Sequence, residues 1–272
     1  MNALVITPIC PLMLHPGFQS ERADEALLGM VVEVLEEAGD GWLKVLTHYG
    51  YTGYAHVDDL LLGDDRVGRW TRAPKAVVTR AICDVLERAD IKSPVLMSVL
   101  RGNLLVPSDG VDEKGWQKVY LPDGRAGYTK QGFLGPYYEE PATLNETSLR
   151  AFIVQSALSY MGTAYRWGGK TPMGIDCSGL TGMAYLLNGV IIWRDASMKE
   201  GYPVHPIALA DARPADLIYF PGHIAMYLGN GRYVHATARD GCDGVVINSI
   251  NPRSPEFRAD LAESITAVGS IF

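Results

Sequence analysis

From Gly29 the chain reads Gly-Met-Val-Val-Glu-Val-Leu-Glu-Glu, with apolar and polar positions alternating at the period of two that lays one face of a strand on a core. Residues 41–60, GWLKVLTHYGYTGYAHVDDL, continue as a short strand, a glycine-containing turn and a second strand entered through Gly-Tyr, which predicts a hairpin. Residues 115–134, GWQKVYLPDGRAGYTKQGFL, repeat this text at a constant offset of 74 positions. The shared pairs are Gly41/Gly115, Trp42/Trp116, Lys44/Lys118, Val45/Val119, Gly50/Gly124, Gly53/Gly127, Tyr54/Tyr128 and Leu60/Leu134. Pro94-Val-Leu-Met-Ser-Val-Leu-Arg-Gly precedes the second copy as a further expected strand, and the Pro-interrupted first 16 residues read as one irregular strand. Two small β-barrels in tandem are expected, over residues 1–65 and 76–136.

Beyond Gly135 the pattern changes. Residues 137–147 are rich in breakers and polar groups and read as a linker. Leu149, Phe152, Ile153, Ala157 and Leu158 then recur at helical spacing from Ser148 to Met161, stopped by Gly162. A Gly- and Pro-punctuated loop from Tyr165 turns at Cys177 into an apolar helical pattern running to Leu187. Asp216 to Gly229 reads as two strands around Pro221-Gly222, with His223 opening the second, and Tyr233-Val-His235-Ala as a third. Helices followed by a run of strands give an α+β unit over residues 148–272.

Composition narrows the options. The chain has 272 residues, 47% hydrophobic and 20% charged, with 24 basic against 31 acidic residues and a formal charge of −7. That is the balance of a globular chain long enough for more than one domain. No basic run stands out, which argues against nucleic acid as a partner, and no window is apolar enough to span a membrane. The amino terminus has no Lys or Arg before Arg22, so it lacks the charged start of an export signal; a cytoplasmic location is expected, or the envelope if a signal precedes this chain. Cys10, Cys83, Cys177 and Cys242 form no CxxC pair, and His15, His48, His56 and His205 show no ligand spacing. No disulfide, metal, cofactor or obligate protein partner is suggested.

One cysteine stands apart. At a helix N-terminus, unpaired backbone N–H groups and the helix dipole favour the thiolate of Cys177, the reactive form. His223 on a strand can serve as its general base, and His235 on the next strand can orient that imidazole. Taken singly, each is as well explained by a buried thiol or a structural histidine, and the three together by a metal ligand set.

The segments Trp167-Gly-Gly, Asp176-Cys177-Ser178-Gly179-Leu180, Asp216-Leu-Ile-Tyr-Phe, Gly222-His223-Ile-Ala-Met-Tyr-Leu-Gly and Val234-His235-Ala closely resemble the NlpC family of papain-like cell-wall cysteine peptidases, in matching order over about residues 147–270. The Trp-x-x-Val and Gly-x-x-Gly-Tyr texture of the repeat resembles the bacterial SH3-like domain often attached to such enzymes. The resemblance extends to the γ-D-glutamyl-L-diamino-acid endopeptidases, which release L-Ala-γ-D-Glu from wall peptides with a free N-terminal alanine. It implies that Cys177, His223 and His235 are catalytic and that the substrate is a small peptidoglycan peptide. It further implies that Asp176 and Ser178 help hold the alanine amine and that Tyr165 lies near the oxyanion. Arg194-Asp195 matches an Arg-Asp pair usually followed by Ser, where this chain has Ala196.

In such enzymes the first SH3-like domain supplies a carboxylate and a tyrosine. Glu21 is the candidate carboxylate and equally well a solvated loop residue. Tyr51 or Tyr54 is the candidate tyrosine, and Tyr51 is favoured because Tyr128 repeats Tyr54 whereas Arg125 stands at the place of Tyr51. A carboxylate-lined amine pocket would select trimmed peptides, since a capped amine leaves the carboxylates unpaired. Two other readings are acyl transfer from a thioester on the same fold, and a binding module whose catalytic unit is inert.

Overall fold

The structure is a computed structural model describing residues 1–272, the side chain of Asp64 excepted. The chain divides into two compact units, Met1–Tyr137 and Tyr138–Phe272.

The N-terminal unit holds two seven-stranded sheets. The first comprises β1 (Asn2–Val5), β2 (Ile9–Met13), β3 (Arg22–Leu27), β4 (Val31–Gly39), β5 (Trp42–Thr47), β6 (Thr52–His56) and β7 (Leu60–Leu62), in spatial order β3-β2-β6-β5-β4-β1-β7. The second comprises β8 (Ala76–Val78), β9 (Ile82–Leu86), β10 (Val95–Leu100), β11 (Leu104–Val111), β12 (Trp116–Tyr120), β13 (Ala126–Lys130) and β14 (Leu134–Pro136), in spatial order β10-β9-β13-β12-β11-β8-β14. The two orders are the same permutation, so the repeat in the sequence is a repeat of topology. Pairing register repeats as well: Trp42 lies opposite His56, and Trp116 opposite Lys130.

The repeated glycine has a packing reason. A Cβ at Gly53 would come within 2.8 Å of Leu12 Cβ, and one at Gly127 within 2.7 Å of the Leu86 carbonyl oxygen, so β2 and β9 can cross there only over glycine. Three expectations are corrected. The first 16 residues form two strands, because Ile6-Thr7-Pro8 interrupts the ladder. The strand over 95–100 occupies the place of β3; the counterpart of the alternating β4 is β11. Residues 64–72, which cross the expected end of the first barrel at 65, form helix α1 (Asp64–Arg72), whose Val67 and Trp70 are buried. Trp70 Nε1 donates to the Gly29 carbonyl at 2.8 Å, tying α1 to the turn before β4.

In the C-terminal unit, residues 137–147 are more than a tether, since the Ala142 N–H donates to the Asn188 carbonyl at 3.0 Å. Helix α2 (Glu146–Leu158) starts two residues before the expected Ser148, capped by Asn145, whose side chain accepts the Ser148 N–H. A two-residue hairpin, β15 (Lys170–Thr171) and β16 (Gly174–Ile175), leads into α3 (Cys177–Leu186). Then come β17 (His205–Ile207), β18 (Leu217–Phe220), β19 (His223–Gly229), β20 (Arg232–Thr237), β21 (Gly244–Ser249), a short α4 (Ala259–Ala262) and β22 (Ala267–Ser270). The six later strands form an antiparallel sheet in the order β17-β22-β18-β19-β20-β21, on which α3 packs over β19 and β20. Asp216, buried before β18, accepts Arg150 Nη1 at 2.8 Å, Ser270 Oγ at 2.6 Å and the Arg213 N–H at 2.7 Å, joining α2 to two strands.

Candidate active site

The helical side of the site is built on Asp176, the N-cap of α3. Its Oδ1 accepts the Gly179 N–H at 2.6 Å and Arg194 Nη1 at 3.1 Å; its Oδ2 accepts Arg194 Nη2 and the Gly168 N–H, each at 2.9 Å. Arg194 Nη1 also donates to Ser178 Oγ at 2.6 Å. Asp176 and Arg194 are both buried, and a bidentate pair of this kind keeps its worth only while every partner stays in place. A Cβ on Gly179 would collide with the Gly169 carbonyl oxygen, so the Asp-Cys-Ser-Gly motif presses the first turn of α3 directly on the Trp167-Gly-Gly loop. The Gly169 oxygen accepts the Asp176 N–H at 3.1 Å, which completes the clamp.

Cys177 is therefore the first residue of α3, as expected, but its thiol does not behave as expected from the helix terminus. Burial, and then the nearby Asp176 carboxylate, push it up to about 11; the Ile224 N–H, Arg194 and the Ser178 N–H oppose them without prevailing. The resting group is a thiol. The bond from Ile224 matters for geometry, because it seats the sulfur against the start of β19, next to His223.

The sheet side follows from strand register. Met226 pairs with Val234 and Tyr227 with Tyr233, so His223 and His235 share a face one pleat apart. His223 Nε2 meets His235 Nδ1 at 2.7 Å, and His235 Nε2 meets Asn248 Oδ1 at 2.9 Å. Burial, then the neighbouring His235 and Arg258, hold His223 down to about 3. Burial likewise holds His235 down to about 4, against its bond to Asn248. Both rings are held neutral at ordinary pH, so each has a nitrogen lone pair able to accept a proton.

Tyr165 stands in a bridge to Ile175, and its hydroxyl is pushed up to about 12 by burial, then by Cys177 and Asp176; it stays protonated and able to donate. Asp195 is exposed, with its carbonyl accepting the Ser197 N–H at 2.7 Å. Glu21, Tyr51 and Tyr54 belong to the N-terminal unit: Glu21 is exposed before β3, Tyr51 is half-buried with its N–H on Thr47 Oγ1, and Tyr54 is half-buried on β6 opposite Lys44. Asn248 escaped the reading of the sequence: it is a polar residue on the strand after the one carrying His235, and only the pairing register brings it to that ring. Among the described residues no group of three His, Cys, Asp or Glu side chains is placed to hold a metal ion.

A cysteine at the start of a helix that packs on an antiparallel sheet carrying two hydrogen-bonded histidines is the arrangement of a papain-like peptidase. Residues 162–257 match the NlpC/P60 family and residues 15–60 the bacterial SH3 domain. The chain is 43% identical, over 100% of both chains, to a dipeptidyl-peptidase 6 of Lysinibacillus sphaericus. It is 26% identical to a gamma-D-glutamyl-L-lysine dipeptidyl-peptidase of Bacillus cereus, over 78% of this chain and 66% of that one. A crystal structure of an NlpC/P60 family protein from Bacillus cereus shares the fold, with a TM-score of 0.82 over 98% of both chains at 20% identity. The chain belongs to the NlpC/P60 family and is a peptidase.

Proposed function

We propose that Cys177 is the nucleophile, His223 its base and His235 the group that orients it, in the cleavage of the γ-D-glutamyl–diamino-acid bond of peptidoglycan-derived peptides that carry a free N-terminal L-Ala. The observation that carries this reading is the hydrogen-bonded line from His223 to His235, beginning beside a sulfur held by the Ile224 N–H. His223 takes the thiol proton as the sulfur attacks the γ-carbonyl carbon. The oxyanion is met by backbone N–H groups at the start of α3 and by the protonated Tyr165 hydroxyl. The imidazolium returns the proton to the departing amine, and water then cleaves the thioester to free L-Ala-γ-D-Glu.

The name of the Bacillus cereus relative, a gamma-D-glutamyl-L-lysine dipeptidyl-peptidase, supports the bond chosen, and both relatives' names support release of a dipeptide. Asp176, Ser178, Arg194 and Asp195 are proposed to recognise the alanine amine and its neighbours; an ammonium reaching Asp176 would share that carboxylate with Arg194. Residues 1–65 and 76–136 are proposed as two SH3-like barrels, joined through 137–147 to the catalytic domain 148–272. Preference for trimmed peptides suits cell-wall recycling, in the cytoplasm, with no nucleic acid, membrane or obligate protein partner. The test is incubation with L-Ala-γ-D-Glu-diaminopimelate and mass spectrometry of the products. L-Ala-γ-D-Glu is expected from the wild type, at least about 10⁴-fold less from Cys177→Ala, and far less from the N-acetylated peptide. Equal cleavage by both proteins sinks the assignment of Cys177; equal cleavage of both peptides sinks the amine pocket.

A further inference from the structure

The line of hydrogen bonds does not stop at His235. We infer that Asn248 is a positioning residue that fixes the proton positions on two imidazoles in succession, so that His223 meets the thiol with a bare ring nitrogen.

The inference starts from an acceptor that cannot change its role. Asn248 Nδ2 lies 3.2 Å from the Glu256 carbonyl oxygen, which has no proton to give, so the amide nitrogen must face it. The amide oxygen is thereby turned to His235 Nε2 at 2.9 Å, and that nitrogen must carry a hydrogen. A neutral imidazole has a single N–H, so His235 Nδ1 holds a lone pair. His223 Nε2, 2.7 Å away, must then be the donor, which leaves His223 Nδ1 as the lone pair available to Cys177. Each step is forced by the count of donors and acceptors, provided both rings are neutral. Burial and Arg258 favour that state on both rings and outweigh the opposing Asp260 carboxylate, which is held in a bidentate bond by Arg258; Tyr233 presents its ring to His235 at 5.1 Å.

The backbone explains why Asn248 can reach. On β20 and β21, Val246 lies opposite His235 and Asn248 opposite Tyr233, so Asn248 is the diagonal neighbour of His235 on the same face. The bond to Glu256 comes from the segment that returns beside β21, where the Ser249 N–H also donates to the Glu256 carbonyl at 2.9 Å. Asn248 touches no reacting atom; it acts through His235.

The proposal rests on Cys177 and His223 being nucleophile and base, and its test separates the two. Long-range ¹H–¹⁵N spectra of the imidazoles, recorded on the full chain without substrate, are expected to show Nε2–H on both rings. Asn248→Leu removes the acceptor and is expected to shift His235 towards Nδ1–H. It should lower kcat on L-Ala-γ-D-Glu-diaminopimelate at least roughly 10-fold, with KM within about 3-fold; a wrong tautomer in serine proteases costs about 10⁴. Asn248→Asp keeps the acceptor oxygen, so it should retain Nε2–H and most of kcat while moving the acid limb of kcat to higher pH. An Nδ1–H tautomer on either ring of the wild type overturns the inference. So does an Asn248→Leu protein that loses activity with unchanged tautomers, or one that keeps full activity. If Asn248→Leu does not fold, the wild-type spectrum and Asn248→Asp decide. Absence of product from every protein with the expected tautomers overturns the substrate instead.

Discussion

On one side of Cys177 the helix start holds formal charge out of water, with Asp176 and Arg194 buried and locked in a bidentate pair. On the other, the sheet carries no formal charge in the line itself: two neutral imidazoles and an amide joined by short bonds. The difference teaches how the tasks divide. A buried ion pair is intolerant of partial removal, which suits the side that must keep a sulfur at one place. A neutral imidazole has a lone pair free to take the thiol proton, and burial disfavours the resulting imidazolium, so the proton is readily given up again to the departing amine, which suits the side that must change protonation in each cycle.

The charged side should break hardest. Arg194→Met leaves the Asp176 carboxylate buried without its cation and is expected to cost about 3–5 kcal/mol of stability, read by denaturant unfolding. A loss no larger than a surface substitution's would show that the pair does not organise this side. Gly179→Ala comes next. In an ordinary helix that exchange gains about 1 kcal/mol, but here the new Cβ meets the Gly169 oxygen, so a loss of roughly 2–3 kcal/mol and weakened product formation are expected instead. A stabilised, active Gly179→Ala protein would show that loop and helix can part.

The neutral side should respond to pH. His223 and His235 are held well below their value in an unfolded chain, so the unfolded chain binds more protons below about pH 6.5. Stability that is complete above that pH should fall as pH drops towards about 4, and the acid limb of activity should lie below the usual imidazole range. Titration of unfolding midpoints and of kcat/KM between pH 4 and 8 checks both. A limb centred near 6.5 would mean that these rings are solvated.

The sequence made some of this legible and hid the rest for identifiable reasons. Short apolar runs on either side of the Pro221-Gly222 turn, and again around Tyr233-Val-His235-Ala, located β18, β19 and β20, and with them the strands carrying His223 and His235. The Gly-rich loop before Cys177 marked the helix start. The direction of the thiol's shift was not legible, because a helix terminus and burial act in opposite directions and only packing decides between them. Asn248 was hidden because cross-strand register depends on the turn between β20 and β21, which a single chain does not spell out. Helix α1 was passed over because its apolar face is two residues wide, Val67 and Trp70, and gains its meaning from the Gly29 carbonyl far upstream.

The twin sheets of the N-terminal unit carry a hazard as well as a topology. Two neighbours with one strand order can, during folding, lend each other a strand and lock into a swapped tangle. Outside the eight shared positions the two copies differ, and the paired partners of their tryptophans are a histidine in one and a lysine in the other. The lysine lies 3.9 Å over the Trp116 ring, whereas Trp42 sits among Phe18 and His56, so a strand borrowed from the wrong copy would meet the wrong partner. Divergence between the repeats thus gives each sheet its own partner for the shared tryptophan, while the shared positions keep the shape.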